Sequence, residues 1–326
     1  MDNMFLVDLS AGKLQLEPIR KGFGRGLLEA GKSNEQVIAL CADLTGSTQI
    51  SLFAEAFPER FIEVGIAEQN LVTVAAGLAA MGKIPFTSSY AAFSPGRNWE
   101  QYKTTACLNN LPVKIVGSHA GLFTGPDGAT HQMLEDIALM RVLPNNVVVV
   151  PCDSIEAEKA TLALAADARP GYIRLARDVS PIITSLKTPF AIGKAEIYSP
   201  GRDVTIVACG TMVYQALEAA EQLYKDGIDA EVINMATIKP FDAVTLLNSA
   251  RKTGAVVTVE EAQVNGGLGS AVAEVLGEEC PVLLKRMGVK DRFGESGTPN
   301  ELLHHFGLTS GHIALEVHDL VKRKNS

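Results

Sequence analysis

Apolar positions along the chain fall into two kinds of run. Short ones rich in β-branched residues, VIALCADL, IPFTSSY, VKIVGS, VVVVP and YIRLAR, read as strands, and between them NLVTVAAGLAAMG, NWEQYKTTACLNN, MLEDIALMRVL and IEAEKATLALAADA carry apolar residues at helical spacing. That alternation predicts a parallel sheet with helices on both faces. The segment SPIITSLKTPFAIGKAEIYSPGRD breaks the rhythm with prolines, glycines and few core residues, which predicts a boundary near 185–200. Beyond it VTIVACG, AEVINMAT, AVVTVEEA and PVLLKRMGV read as strands, and YQALEAAEQLYKDG, DAVTLLNSARKTG and GSAVAEVLGEE as helices. The expected fold is α/β, with two doubly wound, mostly parallel-sheet domains over 1–187 and 188–326. The closing VKRKNS reads as a solvated tail.

Composition narrows the function without naming it. The 326 residues are 47% hydrophobic and 20% charged, with a formal net charge of -8. Nucleic-acid and anionic-membrane surfaces need clustered cations to offset phosphate, so neither is an expected partner. The five cysteines, Cys41, Cys107, Cys152, Cys209 and Cys280, are far apart and form no C-x-x-C pair. They read as reduced packing residues of a cytoplasmic protein. The N-terminal MDNMFLVDLSAGKLQLE has no basic stretch followed by an apolar one, and no run approaches the roughly 18 apolar residues of a spanning helix. Neither export nor membrane insertion is expected.

Chemistry-bearing residues gather in three stretches. In RFIEVGIAEQNLVTVAAG a short strand turns at Gly65 and enters an Ala-rich helix, with Glu68 at or just before its first residue. Taken alone, that carboxylate is what a helix N-terminus favours, because it complements the positive end of the dipole. In KIPFTSSYAAFSPGRNWEQYK, Tyr90 and Phe93 read by themselves as core aromatics. The third stretch, VKIVGSHAGLFTGPDGATHQMLEDIALMRVLPN, places His119 after a strand and Asp127 and His131 in a Gly-rich loop. Loop-capping histidines are the plain alternative there. No metal site is expected, since no further Cys, His or carboxylate arrives at zinc spacing. The turn EEAQVNGGLGSAVAEVL, with Gly266, Gly267 and Gly269, lacks the third glycine of a dinucleotide fingerprint and the acid that should end a following strand. No nucleotide is expected at it.

Together these stretches resemble the pyrimidine-binding and C-terminal domains of transketolases, from about Leu14 to the C-terminus. The resemblance implies that Glu68, in VGIAEQN, hydrogen-bonds N1′ of the aminopyrimidine of thiamine diphosphate, favouring the imino tautomer that takes the proton from thiazolium C2. Phe93 matches the position that stacks on the pyrimidine, Tyr90 the one three residues earlier, and Asp43, opening ADLTGS, a position near the cofactor. A third aromatic usual in transketolases is missing from the loop Ser94-Pro95-Gly96-Arg97. His119 matches a histidine that helps hold the substrate phosphate, while Asp127 and His131 match residues that contact hydroxyls beside the reacting carbon. Arg20 in PIRKGF, Ser47 in ADLTGST and Arg177 in YIRLARDVSP fall where transketolases collect a sugar phosphate.

The chain corresponds to the latter half of an ordinary transketolase. Neither of its Asp-Gly pairs, Asp127-Gly128 and Asp226-Gly227, follows a glycine, so the G-D-G segment that holds diphosphate through a metal in this class is missing. By the resemblance, a separate N-terminal diphosphate-binding subunit holds Mg2+ or a similar divalent metal and shares the cofactor in an α2β2 heterotetramer. The assembly is expected to move a two-carbon ketol unit from a ketose phosphate to an aldose phosphate, a reaction of pentose phosphate metabolism. Three other readings stay open: the β subunit of a 2-oxoacid dehydrogenase, a 1-deoxyxylulose-5-phosphate synthase-like enzyme, which shares D-G-x-T-H-Q and the Ala120-Gly121 pair, and a non-catalytic regulatory subunit.

Overall fold

The computed structural model describes residues 14–326, so the export reading drawn on the first residues lies outside the described part. The first part of the chain runs β1 (Leu16–Pro18), α1 (Ile19–Ser33), β2 (Val37–Cys41), α2 (Ser51–Ala56), β3 (Phe61–Glu63), α3 (Glu68–Ala80) and β4 (Ile84–Tyr90). It continues through α4 (Trp99–Gln101), β5 (Lys114–Ser118), α5 (Asp136–Arg141), β6 (Val147–Val149), α6 (Ser154–Ala166), β7 (Gly171–Leu175) and β8 (Val179–Pro181). The second part runs β9 (Glu196–Ser199), β10 (Val204–Ala208), α7 (Met212–Lys225), β11 (Ala230–Asn234), β12 (Thr237–Lys239) and α8 (Ala243–Thr253). It closes with β13 (Ala255–Gln263), α9 (Leu268–Glu279), β14 (Leu283–Val289), α10 (Pro299–His305) and α11 (Ser310–Lys324).

Two α/β units result. The first holds a seven-stranded sheet ordered β12-β6-β7-β5-β4-β2-β3, parallel except where β12 joins β6. The second holds a five-stranded sheet ordered β14-β13-β10-β11-β9, parallel except at β9. Strand β12 belongs to the second part of the chain yet extends the first sheet, so the two units are stitched together at their border. Every residue of β2, β5, β6, β7, β10 and β11 is buried, as continuous apolar runs covered on both faces require.

Helix α1 lies close against α6 because glycines face it. A Cβ on Gly22 would stand 1.7 Å from the Ser154 carbonyl oxygen, and one on Gly26 2.7 Å from that of Glu158. The GFGRG sequence thereby fixes the position of α1 and of Arg20 near its start. In the parallel part of the first sheet, the C-terminal ends of β2, β4, β5 and β7 share one edge, with Tyr90 opposite Ser118 and Ser118 opposite Leu175. Residues just past those ends, Asp43, His119 and Arg177 among them, are delivered to that edge, where open α/β sheets bind ligands.

Some local readings need correction. NWEQYKTTACLNN forms only a short α4 before a π-helical stretch, Tyr102–Cys107, in which Tyr102 is fully buried with its hydroxyl 2.6 Å from Asn146 Oδ1. The proposed boundary segment is less open than its prolines suggest: Ile183, Thr184, Ala195 and Tyr198 are buried. Asp153 holds it, accepting N–H bonds from Ile183 and Thr184. The basic VKRKNS end is no free tail, because α11 runs through Lys324, whose ammonium donates to the carbonyls of Asp203 and Thr253.

Candidate active site

Glu68 is the first residue of α3, following a turn in which Gly65 takes φ 72°. Its carboxylate is 2% exposed and accepts a 2.6 Å bond from Arg97 Nη1. The guanidinium of Arg97 lies over Phe93, 4.9 Å from the ring centroid. The loop between them is tied down from below. Asn98 Nδ2 donates to the Glu68 carbonyl at 2.9 Å and to Ser94 Oγ at 3.0 Å, and a Cβ on Gly96 would meet the Ala92 carbonyl at 2.1 Å.

His119 follows β5 with φ 56° and is buried, its ring stacked on Tyr90 at 3.8 Å between centroids. Arg20 Nη1 lies 3.0 Å from His119 Nε2, and Ser118 Oγ 2.9 Å from Nδ1. An arginine can only donate, so Nε2 is the acceptor and Nδ1 carries the proton that goes to Ser118. The imidazole is therefore neutral. Burial, reinforced by Arg20, Arg177 and His131, lowers its pKa from 6.5 to about 3.

Two arginines flank this histidine. Arg20 also donates to the Ser47 carbonyl at 3.1 Å, while its Nε is buried without a partner. Burial and then the charge of Arg177 lower the Arg20 pKa from its usual value. Arg177 donates to the Thr124 carbonyl at 2.8 Å and to Asp127 Oδ1 at 3.1 Å. His131 closes the far side, edge-on to Phe93 at 5.4 Å and to Tyr90 at 6.2 Å. The structure thus brings Glu68, Phe93, Tyr90, His119, His131, Arg20, Arg177 and Asp127 into one run of contacts. Ser47 takes part through its backbone carbonyl, its side chain being exposed. Asp43 sits exposed at the rim with φ 57°, its N–H bonded to Glu63 Oε1 at 2.8 Å.

Several supporting residues escaped sequence reading. Arg174, inside β7, donates to Asp136 Oδ2 at 2.8 Å and to Glu261 Oε1 at 3.4 Å, with all three side chains buried. Burial opposes the Arg174 charge, but Asp136 and Glu261 beside it hold its pKa above the ordinary value. Glu261 Oε2 in turn accepts the Phe123 N–H at 3.1 Å, which seats the loop carrying Thr124 and Asp127. A Cβ on Gly121 would lie 2.6 Å from Arg174 Nη2, so that loop needs its glycine, at φ 74°. The signal was present: a charge inside the apolar run YIRLAR and two more in AVVTVEEAQ demand buried partners.

The late Gly-rich turn has a plain structural occupant. Glu260 accepts the N–H groups of Leu268 and Gly269, each at 2.8 Å, so the protein's own carboxyl group fills the start of α9. Burial raises the pKa of that group to about 7. Among the described residues, no group of three or more His, Cys, Asp or Glu side chains is arranged to hold a metal ion. Among the same residues no helix is long and apolar enough to cross a membrane. Four of the five free cysteines are buried and Cys280 is half-buried.

The transketolase pyrimidine-binding domain matches residues 18–181, and the transketolase C-terminal domain matches residues 193–313. The chain belongs to the transketolase family. The 6-deoxy-6-sulfo-D-fructose transketolase subunit of Clostridium sp. is 46% identical to it over 313 residues, covering 96% of this chain and 97% of the relative. A putative transketolase C-terminal section from Methanocaldococcus jannaschii is 45% identical over 309 residues, covering 94% and 97%. A solved split-gene transketolase, described as an inactive beta4 tetramer, matches with a TM-score of 0.88 and 48% identity over 94% of this chain and 99% of that one. This transketolase chain thus has the extent of the C-terminal subunits of split transketolases, and its pyrimidine-binding domain sets it among thiamine diphosphate proteins.

Proposed function

We propose that this chain is the C-terminal subunit of a thiamine-diphosphate-dependent transketolase, active in the cytoplasm once joined to a separate diphosphate-binding subunit that holds Mg2+ or a similar metal. It transfers a two-carbon ketol unit from a ketose phosphate to an aldose phosphate within an α2β2 assembly. The observation that carries this reading is the run of contacts from Glu68 through Phe93, His131 and Tyr90 to His119, Arg20 and Arg177. It sets a buried carboxylate beside an aromatic face at one end and two arginines around a neutral imidazole at the other.

The residues fit an aminopyrimidine, because a flat N–H donor, the Arg97 guanidinium, already lies against Phe93 and donates to Glu68. When bound, thiamine diphosphate supplies a nucleophilic carbon for cleaving and remaking the ketose carbon–carbon bond. Glu68 holds a proton at N1′ of the ring, and Phe93 orients the ring by stacking. Asp127 and His131 take sugar hydroxyls. Arg20 and Arg177 meet the terminal anion, and the unpartnered Arg20 Nε offers it one more donor. His119, kept neutral, orients the Arg20 fork. A sulfonate shares the tetrahedral oxygens of a phosphate, and the Clostridium relative is named for a sulfosugar. Donors of both kinds therefore belong in the assay.

Reconstitution tests this reading. The full chain should show no ketol transfer alone and should gain it on mixing with a diphosphate-binding partner. Glu68→Gln should leave assembly mass intact and slow deuterium exchange at cofactor C2 by roughly 100-fold or more, the scale of a lost acid–base group. An unchanged exchange rate would remove Glu68 from its role, and turnover of 2-oxoacids with no ketose turnover would favour the dehydrogenase reading.

A further inference from the structure

Arg97 makes two contacts that the proposed reading assigns to the aminopyrimidine. Its guanidinium donates to Glu68 Oε2 at 2.6 Å and covers the face of Phe93 at 4.9 Å. A single carboxylate oxygen and a single ring face cannot serve the arginine and a ligand at the same time. Exposure separates the partners sharply: the Glu68 side chain is 2% exposed, the Arg97 side chain 50%. The backbone beneath is fixed by Asn98 and by the close approach of Gly96 to Ala92, so the freedom to leave resides in the arginine side chain.

We propose that Arg97 is a side-chain plug for the pyrimidine pocket, holding the ring's place in the unassembled chain and swinging out when the ring enters. The proposal rests on the assignment of Glu68 and Phe93 to the pyrimidine. Its physical basis is that a carboxylate buried without a partner is costly, and Arg97 supplies the counter-charge until another donor arrives. The consequence is a tax on binding. A pocket open in only a small fraction of molecules has its apparent Kd raised by the inverse of that fraction. Any event that draws Arg97 away, such as an anionic group arriving with a partner chain, then tightens cofactor binding without touching the cofactor.

The test titrates the full-length chain alone with thiamine diphosphate, by calorimetry and by fluorescence of Trp99, the single tryptophan, two residues from Arg97. Arg97→Ala should lower the Kd several-fold, up to roughly 5-fold, the bias that an ion pair open on one side can supply. Arg97→Lys should fall between that variant and wild type, because an ammonium keeps the charge and loses the flat stacking surface. An unchanged or raised Kd in Arg97→Ala, or no measurable binding by either chain, overturns the plug. Glu68→Gln and Phe93→Ala, made in the Arg97→Ala chain, separate this outcome from failure of the pocket itself. If Arg97→Ala gains nothing while both further changes weaken binding, the plug falls and the pocket stands. If Arg97→Ala gains affinity that neither further change removes, the ligand sits elsewhere and both readings fall.

Discussion

Arg97 and Arg174 both donate to a buried carboxylate, at 2.6 Å to Glu68 and 2.8 Å to Asp136, yet their surroundings differ. Arg97 reaches its partner from solvent. Arg174 is enclosed with Asp136, Glu261 and the hydroxyl of Tyr172, which donates to Asp136 at 2.7 Å. An enclosed pair cannot be exchanged for anything, so it positions: through Glu261 it holds the Phe123 N–H and hence the loop of Thr124 and Asp127. A pair with one open side can be exchanged, and its carboxylate is therefore available to a ligand. Accessibility of the cation, more than bond length, separates the structural pair from the one proposed to meet a ligand.

Breaking the enclosed pair should have the largest effect. Arg174→Met leaves Asp136 and Glu261 buried without their counter-charge, and loss of one partner from such a pair costs about 3–5 kcal/mol. Urea unfolding of the full chain at neutral pH measures it. A loss under about 1 kcal/mol would show that water reaches Asp136 and that the two arginines are not distinct in kind.

Arg177 lies between the extremes, since it and Asp127 are 36% and 30% exposed at 3.1 Å. It should matter to substrate more than to folding. In the reconstituted enzyme, Arg177→Ala should lower kcat/KM for a ketose phosphate by about 1.5–3 kcal/mol, roughly 10- to 150-fold. The dephosphorylated ketose, which carries no anion for the arginine to pair with, should lose little. Equal losses for both would remove the anion role.

The comparison also explains what was legible in the sequence. The strand and helix runs were readable because burial on both faces leaves long apolar stretches, and β2, β5 and β10 follow them closely. Helix α1 was not, because its glycines, needed where it touches α6, dilute the apolar stripe. Glu68, His119 and His131 stood out by motif, and the fold brings them to one edge. Arg97 did not, since nothing local tells a loop arginine that it will lie on Phe93. Arg174 needed a partner distant in sequence, Glu261, and only the packing of β13 beside the first unit supplies it. Ser47 and Asp43 rest on the resemblance of one short loop, ADLTGST, where a residue can reach the rim while its side chain stays exposed to solvent.

A third site tests enclosure by pH. His119 is neutral when folded, with its pKa lowered by burial to about 3 against 6.5 for the free group. A folded value below the unfolded one means that the unfolded chain binds the proton more readily. Its contribution is therefore complete above pH 6.5 and is lost as pH falls toward about 3. By pH 5 the loss should be about 2 kcal/mol, a figure that needs only a folded pKa well below 5. His119→Asn, which tolerates the φ of 56°, should lack this acid sensitivity. Parallel stability curves for the two proteins between pH 7.5 and 5 would show that His119 charges freely and is not enclosed.

The smallest expected effect is the sharpest probe, because it concerns stability at the Arg97 pair itself. Breaking a buried ion pair is usually expensive, and Glu68 is as buried as Asp136 in all but name. The difference is what does the burying. Arg97 is itself part of the cover over Glu68, so Arg97→Ala removes the counter-charge and admits water to the carboxylate in one stroke. The residual cost is then that of an exposed pair, about 1 kcal/mol or less. Urea unfolding of Arg97→Ala beside Arg174→Met makes the measurement. A loss near that of Arg174→Met would mean that Glu68 stays dry when its partner leaves, that the pocket is closed by more than one arginine, and that the two pairs differ only in appearance.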